Sequence, residues 1–423
     1  MPKPRKIGID FVPILPRRFQ MSPLAPADAA EVAAAVSLAV ASRTPLSVSG
    51  LGSKSALGRP SEAVRRLDLS ALSGVTLYEP EELVLSALAA TPIETIETLL
   101  SDQGQELAFE PMSFSRIYGT GAGTLGGCVM ANLSGPRRIK AGAARDHVLG
   151  VKAVSGRGEA FKAGGRVVKN VTGYDLPRAL AGSFGTLAVA TEITVKVLPA
   201  PETVATLVLS GLDPGRAIAA LCTAMGAPVD VSGAAHLPAA AAQRQGYSTA
   251  LTVLRVEGFA PSVKARFERL AAILKPFGPS DSLDAEASKI LWSAIRDVAP
   301  LATSSESLIW KCSVAPTAGP RVADACAEAL SCEALFDWSG GLVWLAVEPS
   351  SDLAADAGAE VIKRAVAAQG GGHATLVRAP AELRGRIDAF GPQDSALVAL
   401  SRRLKAAFDP NGILEPRRLF FEF

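Results

Sequence analysis

Lys169-Asn170-Val171-Thr172-Gly173-Tyr174-Asp175-Leu176, then Gly182-Ser183-Phe184-Gly185-Thr186-Leu187, runs straight into the alternating stretch Ala188 to Val197. Glycine lacks a Cβ, so a glycine-rich turn feeding a strand lets the backbone approach something closely. Upstream lie two more such loops, Ser49-Gly50-Leu51-Gly52-Ser53-Lys54 and Gly123-Thr124-Leu125-Gly126-Gly127. Successive backbone N–H groups in such loops make anion nests, and Lys54 adds charge. Three loops within one half of the chain predict a single extended, phosphate-bearing ligand.

Gly121-Ala122-Gly123-Thr124-Leu125-Gly126 is literally G-x-G-x-x-G, with Asp146 twenty residues beyond its end. A Rossmann unit needs a strand before that motif and a long helix after it. Ser113 to Thr120 makes a poor strand, and Pro136 cuts short any helix that follows. The context therefore argues against that fold.

At 423 residues the chain needs more than one core. A content of 48% hydrophobic and 20% charged residues is globular. A net charge of +2 and 5% aromatics give no footing for nucleic acid. The five cysteines, Cys128, Cys222, Cys312, Cys326 and Cys332, form no C-x-x-C pair. Iron–sulfur or zinc ligation is not expected, and scattered thiols suit a reducing cytoplasm. The three histidines, His147, His236 and His373, make no local metal motif. No run of 18 apolar residues occurs, so no membrane span is expected. Lys3, Arg5, Lys6, Arg17 and Arg18 open the chain, but Pro13 and Pro16 interrupt the apolar stretch between them. A signal peptide is not expected there. Residues 1–21 read as an extended arm, either a disordered tail or a docking arm.

In chain order, Ala27 to Ser42 predicts a helix with Asp28 near its start, and Pro45 to Ser49 a strand entering the first glycine loop. Val64 to Leu69, Leu77 to Glu79 and Leu83 to Leu88 predict short strands. Thr91-Pro92-Ile93-Glu94 reads as a capping box opening a helix that Gly104 stops. Val148 to Val154 predicts another strand. Past Pro199 and Pro201 the texture changes. Strands are expected at Val204 to Leu209, Ala250 to Glu257, Leu308 to Val314 and Leu342 to Val347. Helices are expected at Val263 to Leu274, Arg321 to Leu330, Ala355 to Ala368 and Ser395 to Phe408. Both halves thus read as α+β.

Five stretches, PLSVSGLGSKSALG, GTLGGCVMANLSGPRR, RDHVLGVKAVSGRG, KNVTGYDLPRALAGSFGTLAVATEITVKVLP and the closing DPNGILEP, occur in one order. Together they resemble the FAD-binding domain of the vanillyl-alcohol oxidase and p-cresol methylhydroxylase (PCMH) family. Within it the resemblance is nearest to FAD-binding accessory subunits of bacterial glycolate oxidases. It implies an α+β fold: a two-subdomain PCMH-type FAD-binding domain at 22–201, an α+β cap domain at 202–394 and a C-terminal segment at 395–423 returning to the FAD domain. By motif position, Ser49, Gly50, Leu51, Gly52, Ser53, Lys54 and Gly58 would hold the pyrophosphate. Thr124, Gly126, Gly127, Ala131 and Asn132 would line the dinucleotide opposite, and Arg145, Val148, Gly185 and Val189 would complete the pocket.

The resemblance further implies a paralogous FAD-linked catalytic subunit, an iron–sulfur subunit and a small 2-hydroxy acid as substrate. The location would be cytoplasmic, peripheral to the inner membrane only through partners. Neither histidine nor cysteine occurs in Pro45 to Gly58, so FAD is expected to be non-covalent. Three departures stand out. Leu51 replaces a common glycine, Glu415-Pro416-Arg417 replaces a common Asn-Pro-Gly, and the histidine-rich metal signature of catalytic relatives is missing. Two rival readings follow. In a self-sufficient oxidase, His373 with Arg378 would supply the base and the carboxylate contact. In a flavin-free scaffold, Leu51 and Glu415 would mark the loss.

Overall fold

The computed structural model describes residues 21–167, 173–302, 304–350, 356–391 and 393–420. The N-terminal arm, apart from Met21, and the opening Lys169 to Thr172 lie outside the described residues.

The first half contributes β1 (Leu46–Ser49), β2 (Arg65–Asp68), β3 (Val75–Glu79), β4 (Val84–Leu88), β5 (Gln105–Glu106), β6 (Val148–Ser155), β7 (Ala160–Gly164), β8 (Ala188–Lys196) and β9 (Leu198–Pro199). β1 and β2 pair in parallel. A five-stranded sheet runs β3-β4-β8-β6-β7, antiparallel at each pair. The alternating stretch after the third glycine loop is therefore its middle strand, and Ile193 and Val195 are fully buried. β5 and β9 form a separate antiparallel pair.

The second half contributes β10 (Thr203–Ser210), β11 (Gly233–Leu237), β12 (Leu251–Gly258), β13 (Ser280–Leu283), β14 (Leu308–Ser313), β15 (Cys332–Asp337), β16 (Leu342–Val347) and β17 (His373–Arg378). They join one eight-stranded sheet in the order β13-β10-β12-β11-β15-β16-β14-β17. Among the described residues, the ladder between its two four-stranded halves pairs His236 with Phe336. Successive side chains on a strand face opposite sides. Val253, Ile309 and Trp344 accordingly join the apolar core shared with the first half. Their neighbours Leu254, Trp310 and Val343 pack under the helices on the other face. The sheet is thus covered on both sides, and its inner face is a seam with the glycine-rich half.

The C-terminal helix Ser395–Phe408 ends at Asp409, and the chain then returns to β1. Leu414 bridges Leu46 in parallel, and Leu46 N donates to Ile413 O at 2.7 Å. Buried Lys405 bolts this return by donating to Thr186 O, Asp409 Oδ2 and Leu414 O.

Several local expectations change. Pro92 is the N-cap of the helix Ile93–Ser101 and makes no side-chain cap bond. Thr91 Oγ1 instead accepts from Gly74 N and donates to Leu88 O, tying down the preceding turn. The strand missing from the Rossmann context is a single helical turn, Ser115–Tyr118, and the helix after the motif, Leu125–Met130, has six residues. The helix expected from Ala355 starts at Ala359, because Ala357 and Gly358 adopt left-handed backbone with φ 57° and 77°. No strand is expected from the sequence at β5, β7, β9, β11, β13, β15 or β17. β5 and β9 have two residues each, β13 is mostly polar, β7 and β11 are short and carry alanine and glycine, β15 is interrupted by Glu333, and β17 follows a glycine turn.

Candidate flavin site

The first two glycine loops face one another. β1 ends at Ser49, and Gly50 follows; a Cβ on Gly50 would lie 3.2 Å from Thr124 Oγ1. Thr124 is the N-cap of Leu125–Met130, and its Oγ1 accepts from Gly127 N at 3.1 Å. Thr120 Oγ1 donates to Ser53 O at 3.1 Å, fastening one loop to the other. Gly52 takes left-handed backbone, φ 74°, which favours glycine. Leu51 is 51% exposed, so its side chain points out of the loop rather than filling it.

Lys54 turns inward. Its ammonium reaches only Ser53 Oγ, at 3.3 Å, and among the described residues it meets no carboxylate. Burial lowers its pKa from the ordinary lysine value, with slight opposition from Cys128. A Cβ on Gly123 would collide with its Nζ, so the bare glycine leaves room for the cation. Gly127 lies nearby, its notional Cβ 3.8 Å from Nζ. Gly126 faces away: a Cβ there would fall 2.6 Å from Ala89 O. Its role is helix-to-strand packing, while Gly127 borders the open side.

The third stretch packs on the far end of the same short helix. Gly182 N donates to Val129 O and Phe184 N to Met130 O. Ala131 is the helix C-cap. Asn132 has φ 50°, and its Oδ1 accepts from Arg145 N at 3.1 Å, so these two expected site residues touch directly. Gly185, φ 77°, approaches Val48 and Glu415, a Cβ there lying 3.8 Å from each. Val148 opens β6 and borders a small cavity of about 100 Å³ with Tyr174 and Asp175. A larger cavity of about 300 Å³ runs between Ser183–Leu187 and the C-terminal helix. Val189 sits apart from this arrangement, inside the apolar core with Leu46 and Leu414. Gly58 lies under the second half: Phe390 covers its α-carbon, and Arg384 Nη1 donates to its carbonyl at 2.6 Å.

Glu415 has a clear structural task. Its Oε1 accepts from Val48 N at 2.8 Å and Ser47 Oγ at 3.2 Å. The C-terminal return thus clamps the strand that leads into the first glycine loop. Arg418 adds bonds to the carbonyls of Lys54 and Ser55. Sequence reading missed Arg384 and Arg418 because their partners lie more than 300 residues away in the chain.

The expected catalytic pair is not brought together. His373 is exposed at the start of β17, and Arg378 is buried at its end, roughly 16 Å of strand away. Arg378 does not offer its fork to a carboxylate. It donates to Ser307 O, Ile117 O and Ser304 O and so links the two halves. His147 is buried against Phe109 with Nε2 2.9 Å from Ala141 O. His236 contacts Thr252 Oγ1, and burial pushes its pKa down to about 4. Among the described residues no three His, Cys, Asp or Glu side chains gather as a metal site.

A pyrophosphate needs amide donors and a cation with no competing carboxylate. The facing loops around Lys54 supply both, so the residues present fit a dinucleotide. Comparison with known proteins agrees. Residues 24–164 match the FAD binding domain family. The chain is 34% identical over 387 residues to the glycolate oxidase subunit GlcE of Escherichia coli (strain K12), covering 92% of this chain and 96% of that one. It is 35% identical over 131 residues to the glycolate oxidase subunit GlcD of Bacillus subtilis (strain 168), covering 31% of this chain and 27% of that one. Among solved structures, p-cresol methylhydroxylase with substrate bound superposes with TM-score 0.68 at 14% identity, over 93% of this chain and 87% of that one. An alkyldihydroxyacetonephosphate synthase superposes with TM-score 0.66 at 18% identity, over 93% and 75%. These two likenesses establish the fold.

Proposed function

The chain belongs to the family of the glycolate oxidase subunit GlcE, and from that premise we propose that it is the FAD-binding subunit of a multi-subunit glycolate oxidase. The observation that carries the flavin assignment is Lys54, a half-buried cation that meets no carboxylate among the described residues, set between two glycine loops. FAD when bound supplies the two-electron acceptor for oxidising a 2-hydroxy acid to a 2-oxo acid. In this reading Lys54 and the amides of Gly50 to Ser53 hold the pyrophosphate, while Thr124 and Gly127 shape the opposite wall. Asn132 and Arg145 order the next segment, and Gly185 leaves room beside Val48. Val148 borders the pocket. Ala131 lines the dinucleotide, while Gly58 and Val189 act through the backbone around them.

FAD is held without a covalent bond, since Pro45 to Gly58 offers no histidine or cysteine. The partners are a paralogous FAD-linked subunit, which carries most of the substrate chemistry, and an iron–sulfur subunit. The domain division at 22–201, 202–394 and 395–423 follows the shift from the five-stranded to the eight-stranded sheet and the return of Leu414 to β1. No helix among the described residues is long and apolar enough to cross a membrane. In this reading the chain is cytoplasmic, and any association with the inner membrane is made through the partner subunits.

Gly127→Val against Gly126→Val tests the site. A branched side chain at Gly127 crowds Thr124 and the open side, so Gly127→Val is expected to fold and lose flavin. Gly126→Val collides with the Ala89 carbonyl and is expected to lose thermal stability as well. Flavin absorbance per chain and a melting curve read both. A folded Gly127→Val chain with full flavin, released or not by acid, defeats the assignment.

A further inference from the structure

Arg138 and Lys311 come from opposite sides of the seam and meet at one indole. Arg138 Cζ lies 4.3 Å from the Trp338 ring centroid, and Lys311 Nζ lies 5.2 Å from it. Lys311 also stands 5.8 Å from the Trp344 ring. Among the described residues neither cation makes a side-chain hydrogen bond or an ion pair. Both residues are half-buried. Trp338 is held where they meet. Its Nε1 donates to Gly135 O at 3.1 Å, and Asp337 Oδ1 accepts from Trp338 N at 2.7 Å. Trp338 and Ser339 are both in left-handed backbone, φ 49° and 60°, a conformation that persists only where surroundings enforce it. Gly135 lies three residues beyond Asn132, so the indole is fastened to the segment that lines the proposed flavin pocket.

Two unpaired cations in a partly desolvated seam are costly unless an anion joins them. Asp146 acts on Arg138 and Asp337 on Lys311, yet neither makes an ion pair with its cation among the described residues, and burial pushes Asp337 up to about 7, so the pair is not fully neutralised. Burial likewise lowers Lys311, to about 8, with Arg138 adding repulsion and Asp337 opposing.

We propose that Arg138 and Lys311, walled by Trp338 and Trp344, form a binding site for the carboxylate of a small organic acid. The guanidinium fork matches a planar carboxylate, the ammonium adds a point charge, and the indoles keep bulk water off the acid. The proposal rests on the flavin-subunit reading for the acid's identity, a small 2-hydroxy or 2-oxo acid, but not for the existence of the site. This chain then contributes a place where substrate or product is held, in addition to carrying flavin.

The test uses the purified full chain loaded with FAD, titrated with glycolate and with oxalate, a non-oxidisable dicarboxylate. Calorimetry and the visible flavin spectrum follow binding. Saturable binding is expected, with Kd raised at least about tenfold in Lys311→Met and in Arg138→Met, the loss of one charge-assisted contact. Lys311→Arg keeps the charge and is expected to bind within about threefold of the wild type. Arg216→Met, an exposed cation elsewhere, is the control and is expected to bind as the wild type does. Melting curves certify each fold. Absence of saturable binding, unchanged Kd in both Met variants, or equal displacement by sulfate overturns the proposal. Loss of flavin rather than of acid binding in the Met variants also overturns it, since the cations then serve the dinucleotide. If the chain never takes up FAD, the flavin reading fails, and calorimetry on the flavin-free chain still decides the acid site.

Discussion

Two clusters of charge lie in the seam between the glycine-rich half and the eight-stranded sheet, and they are built in opposite ways. In the first, Glu110 accepts from Arg255 Nη1 at 2.7 Å, Arg255 Nη2 at 3.1 Å and Arg137 N at 2.5 Å. Arg137 reaches Glu106 at 2.6 Å and Glu257 at 2.8 Å, and Arg255 stacks on Trp292 at 4.7 Å. Burial alone pushes the Glu110 carboxyl up, yet the two guanidiniums more than offset it and hold it at about 2. In the second cluster, Arg138 and Lys311 share an indole and, among the described residues, make no ion pair. The next residue in the chain, Arg137 to Arg138, passes from one regime to the other. A closed network fixes how two bodies dock; an open one leaves charge for something that arrives later. Lys54 belongs to the open kind.

The largest expected effect comes from opening the closed network. Glu110→Ala leaves Arg255, 4% exposed at its side chain, without its main anion. Breaking a buried pair from one side costs about 3–5 kcal/mol. Chemical denaturation is expected to show that loss, whereas Lys311→Met is expected to cost under about 1 kcal/mol because no bond is broken. Acid titration sharpens the contrast. Glu110 binds its proton less readily folded than unfolded, so its contribution is present above pH ~4.5 and is lost as pH falls toward about 2. The acid-side slope should flatten in the variant. Equal stabilities for the two variants would erase the distinction between the clusters.

How far the sequence disclosed this depends on the range of the interaction. β8, β12, β14 and the helix Ser395–Phe408 were legible because alternation and helical spacing are local. Gly50 to Lys54 and Thr124 to Gly127 were legible as loops, and the resemblance placed them together. Gly126 was not legible as a packing residue, since its constraint is the Ala89 carbonyl. Glu415 read as a loss at the flavin pocket, while the fold uses it to hold Val48, 367 positions away. Nothing in the sequence separates Arg137 from its neighbour Arg138. Only the sheet brought Glu257 to the first and Trp338 to the second. Arg378 read as a substrate contact because its three carbonyl partners are backbone groups with no sequence signature.

An intermediate effect is expected at Lys54. It has no carboxylate to lose, so Lys54→Met should leave the melting temperature of the flavin-free chain unchanged or higher. Removing one cation from a phosphate cradle is expected to weaken FAD about ten- to a hundredfold, a charge-assisted hydrogen bond being worth roughly 1.5–3 kcal/mol. Quenching of flavin fluorescence on rebinding gives the affinity. Unchanged affinity would place the pyrophosphate elsewhere and remove Lys54 from the open class.

The smallest effect concerns Asp337, the buried acid that acts on Lys311. Burial is the leading cause of its rise to about 7 from the ordinary 3.8, opposed by the Trp338 amide, Arg255 and Lys311 and reinforced by Glu110. The folded chain therefore holds a proton there across pH 4–7 that the unfolded chain releases. Stability from this group is greatest below pH ~4 and falls as pH rises to about 7, above which the buried charge is a constant cost. Asp337→Asn keeps an acceptor for the Trp338 amide and carries no charge at any pH. It is expected to match the wild type at pH 4 and exceed it by about 1 kcal/mol at pH 8, a figure kept small because Lys311 loses its only nearby counter-charge. Denaturant midpoints at the two pH values measure this. If the variant is instead less stable at pH 8, Asp337 is ionised and paired with Lys311 in the native chain, and the open cluster is a closed one with a longer span.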